Sequence, residues 1–215
     1  KEAGKWAYGY NAFRIDITPF IQFGKSNLIE VHLNNVEESS RWYPGGGLYR
    51  PVSVELYGNE NFSTWDTFVR TLKADKQEAE VEVNALLEGK TGKSGKTVIA
   101  LLDEAGKKVA EKIVTGANPE IKTTLKVANP QLWSPESPYL YQVKLTRYEG
   151  KKVADVQTLK TGIRTIAVSK EYGFQLNGVT RKLKGVCLHH DLGPLGAAEN
   201  KAALIRQIKM MKQMG

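Results

Sequence analysis

The sequence predicts a mainly β protein: an immunoglobulin-like β-sandwich followed by the first strand and helix of an α/β barrel. Three observations carry this. Short alternating apolar and polar runs recur about every ten residues between positions 62 and 163, the spacing of an all-β sandwich. Asn177-Gly178, the strongest short hairpin signal, lies between two such runs further on. Beyond it the apolar run Leu183-Lys184-Gly185-Val186-Cys187-Leu188 leads into His189-His190-Asp191, a Gly193-Pro194 turn and a stretch of helical spacing. A buried strand that delivers polar residues at its C-terminal end, followed by a helix, is how an α/β barrel builds its active-site rim.

The elements follow in order. Residues 1–58 read as strands. Residues 12–17, 27–33 and 51–57 each alternate with period two, as half-buried strands do. The connection over 19–26 contains Phe20-Ile21, apolar enough to pack down. His32 falls on the polar face of its strand with Glu30 and Asn34, which makes it a surface residue. Between the second and third of these runs sits Ser40-Arg41-Trp42-Tyr43-Pro44-Gly45-Gly46-Gly47-Leu48-Tyr49-Arg50. Three glycines after a proline make a tight irregular loop. It is not a phosphate loop, because no Gly-Lys-Ser/Thr follows and no helix opens after it. Its aromatic and arginine side chains suit either a sugar site or a domain interface, and a structural or interface role is favoured.

The sandwich strands fall at residues 64–72, 78–87, 97–102, 108–114, 121–127, 140–149 and 152–161, with turn signals at 89–95, 104–106 and 149–151. Roughly seven strands over about 100 residues is the immunoglobulin-like number. The stretch Asn129-Pro130-Gln131-Leu132-Trp133-Ser134-Pro135-Glu136-Ser137-Pro138-Tyr139-Leu140-Tyr141 interrupts the pattern. Its three prolines forbid helix and central strand, and Trp133 and Tyr139 supply apolar area to pin an extended crossing. It reads as a sandwich corner or a domain-docking segment. Residues 172–183 form a hairpin about Asn177-Gly178. From Ala198, apolar residues recur at Ala202, Ile205, Ile208, Met211 and Met214, a core-facing helical stripe. The chain stops at Gly215, where a barrel helix should hand over to its next strand.

Composition excludes several classes. At 215 residues, 41% hydrophobic and 25% charged, the chain is an ordinary globular sequence of one or two domains. It has no run of about 18 apolar residues that would span a membrane, and no leader is visible at Lys1. The single cysteine, Cys187, cannot form an internal disulfide and reads as a buried, inert thiol. The net charge of +8 is spread through turns and strand faces rather than clustered with aromatics, so neither nucleic acid nor a membrane is an expected partner. His189, His190 and Asp191 are adjacent on an extended run, so they do not converge on one metal ion, and no cofactor is expected.

Four segments, in order along nearly the whole chain, resemble glycoside hydrolase family 2, particularly its β-galactosidase-like members. They are residues 40–52, Asn129-Pro130-Gln131-Leu132-Trp133-Ser134-Pro135-Glu136, Gly162-Ile163-Arg164-Thr165, and residues 173–196. The resemblance implies the end of a jelly-roll sugar-binding domain over 1–58 and an immunoglobulin-like sandwich over 59–168. Residues 169–215 would then be the start of a (β/α)8 catalytic barrel, truncated. It also implies a retaining glycosidase, in which one carboxylic acid protonates the leaving oxygen and a second carboxylate attacks the sugar carbon. In the family both carboxylates lie on later barrel strands. The family's Asn-Glu acid/base motif is absent from barrel sequence here: Asn59-Glu60 and Glu199-Asn200 are in the wrong context and order. The chain is therefore expected to hold no catalytic residue and to turn over no glycoside by itself.

What the resemblance carries over is the substrate rim. The family's Gly-Val-Asn-x-His pattern aligns with Gly185-Val186-Cys187-Leu188-His189, so His189 matches a histidine that contacts sugar, with His190 and Asp191 as further substrate-binding candidates. Cys187 stands where the family has Asn. A structural, hydrogen-bonded histidine is the other reading of His189. The implied partner is a carbohydrate, most directly a terminal β-galactoside, and the parent a homo-oligomer. The alternatives are a β-glucuronidase or β-mannosidase, and, in another class, a non-enzymatic carbohydrate-binding β-sandwich module.

Overall fold

The computed structural model describes residues 1–34, 46–89, 95–189 and 192–214. In these the protein is mainly β. The chain divides into two compact units, one of Lys1–Val52 with His189–Gly215 and the other of Ser53–Leu188.

The larger unit is a sandwich of two antiparallel sheets. Its strands are β1 (Glu60–Phe62), β2 (Phe68–Ala74), β3 (Glu78–Gly89), β4 (Lys96–Leu102), β5 (Lys108–Thr115), β6 (Glu120–Ala128), β7 (Tyr141–Glu149) and β8 (Lys152–Thr161). β3 organises the first sheet. It pairs with β6 from Glu78↔Ala128 to Leu86↔Glu120, with β2 from Phe68↔Asn84 to Ala74↔Ala79, and at its C-terminal end with β1 through Phe62↔Leu87. The second sheet runs β5-β4-β7-β8. Three further strands, β9 (Ile166–Ser169), β10 (Gly173–Leu176) and β11 (Val179–Thr180), form a small antiparallel sheet in the order β11-β10-β9.

Alternation explains the core. Ala79, Val81, Val83, Ala85 and Leu87 of β3 are buried, as are Ile99 and Leu101 of β4 and Tyr141, Val143 and Leu145 of β7. They join Phe62, Ile121, Leu125, Val127 and Ile163 in one cluster. Each Val, Leu, Ile or Phe side chain among them contributes about 1.5–3 kcal/mol on full burial. The outer face of the first sheet carries charge instead. Arg70 and Lys122 flank Glu82 at 2.8 and 3.4 Å, and Lys73 meets Glu78 at 2.7 Å. On this face Arg70, Lys73, Lys122 and Lys126 are thus paired with carboxylates across strands.

Arg147 breaks the apolar rule. It follows Tyr141, Val143 and Leu145 on the inner face of β7 and its side chain is only 2% exposed. Its Nε donates to Glu60 Oε2 at 2.8 Å and its Nη2 to Glu60 Oε1 at 3.3 Å. Further donations reach Thr97 Oγ1 and the Gly116 carbonyl. The fork geometry of guanidinium suits this bidentate pairing. Room for it comes from Gly95, where a Cβ would stand 1.8 Å from Arg147 Nη2. Asp155 of β8 also accepts from Phe62 N at 2.8 Å. β1 is therefore tied through Glu60 and Phe62 to the second sheet while pairing with the first.

The smaller unit holds local structure. Asn27 clamps a turn: its Oδ1 accepts from Gln22 N at 2.8 Å and its Nδ2 donates to the carbonyls of Gln22 and Lys25. Trp6 and Phe13 stack at 5.7 Å. The helix α1 (Lys201–Met214) starts three residues later than its apolar spacing suggests, because Asn200 caps it by accepting from Ala203 N at 3.0 Å.

Several local expectations change. All seven sandwich strands form, with the first moved from 64–72 to β2, and β1 is an addition too short to show a period. The hairpin forms about Asn177 and Gly178, whose φ angles of 52° and 76° are those of a type I′ turn. Residues 12–17, 27–33 and 51–57 are not strands: no described neighbour pairs with them, and Leu28 and Leu56 are more than four-fifths exposed. A period-two run becomes a strand only where another strand takes up its backbone groups. The same holds for residues 183–188, which are unpaired and exposed. Cys187, expected to be buried, is exposed for this reason. The helix has no buried residue, and of the expected stripe only Met211 is even half-buried. Residues 40–45 and most of the turn at 89–95 lie outside the described residues.

Candidate functional site

The sandwich corner, the link out of β8 and the hairpin meet at one place. The prolines Pro130, Pro135 and Pro138 keep residues 129–138 out of the ladders, so their polar groups bond elsewhere. Trp133 N donates to the Ile163 carbonyl at 2.8 Å. Asn177, held at positive φ in the hairpin turn, donates through Nδ2 to the Trp133 carbonyl at 3.0 Å and accepts at Oδ1 from Thr165 N at 3.0 Å. The Arg164 guanidinium lies 5.0 Å from the Trp133 ring centre, a cation–π distance.

Glu136 and Arg181 close the arrangement. Arg181 donates through Nη1 and Nη2 to the two carboxylate oxygens at 2.6 and 2.9 Å. This bidentate bond, aided by hydrogen bonds from the backbone and Ser134, holds the Glu136 carboxyl at about 2, well below the ordinary carboxylate range. Arg181 N donates to the Phe174 carbonyl at 2.9 Å, the last ladder-like bond before the extended run towards His189.

Beside this lock lies an open groove of about 390 Å³. Trp133, Pro135, Ile166, Phe174, Leu176 and Leu183 make its apolar lining, and Arg164, Arg181, Lys182 and Lys184 its cations. The lining contains no acidic residue. Such a surface can seat an apolar body carrying negative charge. It holds no pair of facing carboxylates and no nucleophile with a base, so it has no hydrolytic machinery of its own.

The residues chosen from sequence are placed less completely. His189 is described and exposed, at the end of the unpaired run. His190 and Asp191 lie outside the described residues, so the three are not seen together. His32 is exposed, but so are its apolar neighbours Val31 and Leu33, since the run is not a strand. Among the described residues no group of three or more His, Cys, Asp or Glu could hold a metal ion. Of the glycine-rich loop, residues 46–50 are described. Tyr49 donates to the Gly9 carbonyl at 3.1 Å and Arg50 to the Tyr10 carbonyl at 3.3 Å, with the guanidinium 5.3 Å from the Tyr49 ring centre. Sequence reasoning missed the Glu136–Arg181 pair. An acid between two prolines and a cation just past an Asn-Gly turn are each unremarkable alone, and only their meeting gives them meaning.

Comparison with known proteins extends the picture. The family model for glycosyl hydrolases family 2 matches residues 62–164. A β-galactosidase of Bacteroides ovatus is 37% identical over 97% of this chain and 25% of its own length. A putative β-glucuronidase of Formosa agariphila is 40% identical over 99% of this chain and 20% of its own. The crystal structure of a glycosyl hydrolase family 2 member from Bacteroides cellulosilyticus superposes with a TM-score of 0.91 at 41% identity, covering 97% of this chain and 30% of that one. The chain thus spans a quarter or less of the length of these two relatives, 25% and 20%.

Proposed function

We infer function from one premise: the chain belongs to the glycosyl hydrolases of family 2. It is then part of an O-glycosyl hydrolase that cleaves terminal β-linked sugars with retention of configuration. The observation that supports this best is the collinear match over 97% of the chain to a family member at 41% identity. Residues 1–58 are the end of a jelly-roll domain, 59–168 the sandwich and 169–215 the start of the catalytic barrel. Residues 183–188 become a barrel strand once neighbours pair with them, and their exposed Leu183, Val186 and Leu188 are the side chains that pairing would bury.

In this reading the chain supplies framework and rim, and the reacting carboxylates belong to later barrel strands. A retaining pair stands about 5–5.5 Å apart and must flank the glycosidic bond. His189, at the C-terminal end of the first barrel strand, is placed to hydrogen-bond a sugar hydroxyl, and His190 and Asp191 extend the same rim. The substrate is a β-galactoside first, with a β-glucuronide as the runner-up, since the relatives' names divide between those sugars.

The test is hydrolysis of aryl β-galactoside, glucuronide, mannoside and glucoside by this chain and by an enzyme extended through the barrel. The extended enzyme should prefer one sugar and this chain should cleave none. An extended enzyme inert on all four, with glycan binding by this chain, overturns the reading in favour of a binding module.

A further inference from the structure

We propose that Asn177-Gly178 is a self-modifying site: when the sandwich corner opens, Asn177 is converted to aspartate or isoaspartate, and the product no longer closes the corner. The site is independent of which glycoside the parent enzyme cleaves. Three observations converge. Asn177 is followed by glycine, the only Asn-Gly pair in the sequence. Glycine has no Cβ to keep its backbone nitrogen from the preceding side chain. The pair also stands at an open hairpin tip. Leu176 pairs with Val179 across the turn, and a Cβ added to Gly178 would meet nothing within 4 Å, so water reaches it. The third observation is restraint. Other segments hold both ends of the Asn177 carboxamide: Thr165 N donates to Oδ1, and Nδ2 donates to the Trp133 carbonyl, each at 3.0 Å. The backbone of residue 177 adds a bond from its N to the Thr165 carbonyl at 3.0 Å. The carboxamide turns to Gly178 N only after both side-chain bonds break, which couples the chemistry to opening of the corner.

The reaction needs only water. The Gly178 backbone nitrogen gives up its proton and attacks Asn177 Cγ. The Cγ–Nδ2 bond breaks, and Nδ2 leaves as ammonia carrying that proton. Water then opens the cyclic imide, with no oxidation or reduction. Breaking the bond from the imide nitrogen to Cγ gives aspartate. Breaking its bond to the backbone carbonyl carbon of residue 177 gives isoaspartate, with the main chain routed through the side chain. An aspartate oxygen still accepts from Thr165 N, but a carboxylate donates nothing, so the Trp133 carbonyl then faces an acceptor. Isoaspartate adds a methylene to the main chain and disturbs the two-residue turn that sets the Leu176–Val179 register. Either product shifts the tie between hairpin and corner onto the Glu136–Arg181 pair. A reversible opening thus becomes a one-way change.

The experiment follows Asn177 by mass spectrometry in this chain, incubated at mildly alkaline pH both folded and in urea. The tryptic peptide 171–181 has Asn177 as its one asparagine. An isoaspartyl methyltransferase labels the isomerised product. The folded chain should convert about ten- to a hundredfold more slowly than the chain in urea, the factor that closing two hydrogen bonds supplies. Glu136→Gln weakens the neighbouring tie, so it should speed conversion of the folded chain several-fold and leave the rate in urea unchanged. Asn177→Asp makes the product directly. It should raise hydrogen exchange about tenfold at the amide of residue 177, which donates to the Thr165 carbonyl. Equal rates in the folded chain and in urea overturn the proposal, since the corner then gates nothing. So does a folded rate more than about a thousandfold below the urea rate and unmoved by Glu136→Gln, because the site then opens only with the whole sandwich. Exchange in Asn177→Asp equal to that of the parent overturns it as well, by showing that the product closes the corner as asparagine does.

Discussion

Replacing Arg147 with Met should destabilise the sandwich far more than any surface change. The guanidinium and the Glu60 carboxylate are 2% and 1% exposed, and they meet at 2.8 Å. Met keeps the apolar stem and removes the guanidinium that forms the bidentate pair with the buried Glu60 carboxylate. Truncating one partner of a buried pair costs about 3–5 kcal/mol. Thr97 Oγ1 and the Gly116 carbonyl lose a donor in the same step. At about 4–8 °C per kcal/mol for a domain of some 100 residues, the midpoint should fall by at least about 12 °C. Urea unfolding and thermal melts followed by circular dichroism measure both quantities. The double replacement Glu60→Leu with Arg147→Met should recover most of the loss, because an apolar pair of similar volume leaves no charge stranded. A single-mutant loss under about 1 kcal/mol would refute the reasoning, since that is the scale of a solvated pair. A double mutant as unstable as the single one would refute it too, by showing that packing rather than charge is at stake.

Other expectations rest on the same geometry. Gly95→Ala should cost about 1–3 kcal/mol by overpacking, since its Cβ would lie 1.8 Å from Arg147 Nη2, and the same melts should show the cost vanish when Arg147 is Met. Asn177→Ala removes the bonds to Thr165 N and the Trp133 carbonyl and places Ala at φ 52°; a loss of about 1–3 kcal/mol and a shift in Trp133 fluorescence are expected. The Glu136 carboxyl is depressed from 4.5 to about 2 in the folded chain, so its contribution is complete above about 4.5 and is lost as pH falls towards 2; carboxyl chemical shifts of Glu136 should titrate in that window and return to the ordinary range in Arg181→Lys. In the extended enzyme His189→Ala should lower kcat/KM about 10- to 100-fold, the loss of one hydrogen bond to substrate.

The sandwich was legible because each strand carries its own evidence. Val81, Val83, Ile99, Leu101, Val143 and Leu145 sit at every second position, and the antiparallel neighbours they need lie within the same hundred residues. The runs at 12–17, 27–33 and 183–188 have the same alternation but no described neighbour. Alternation states which face is apolar; it does not supply what covers that face. Arg147 was illegible for the opposite reason. It occupies an inner position of β7, but a charged residue at the end of an alternating run reads as the point where the strand emerges into solvent. Its true signal is spread over Glu60, Thr97 and Gly95, residues that local periodicity does not connect. The groove is a similar case. Trp-Ser-Pro-Glu at 133–136, Gly-Ile-Arg-Thr at 162–165 and the Asn-Gly hairpin were each visible as separate segments. Folding makes them one surface because the prolines deny the corner a place in either sheet, so its backbone must find partners at Ile163 and Asn177. The residues by which the sequence resembles the family are thus the ones that join the sandwich corner to the hairpin, and a change at the corner should register in the stability of both.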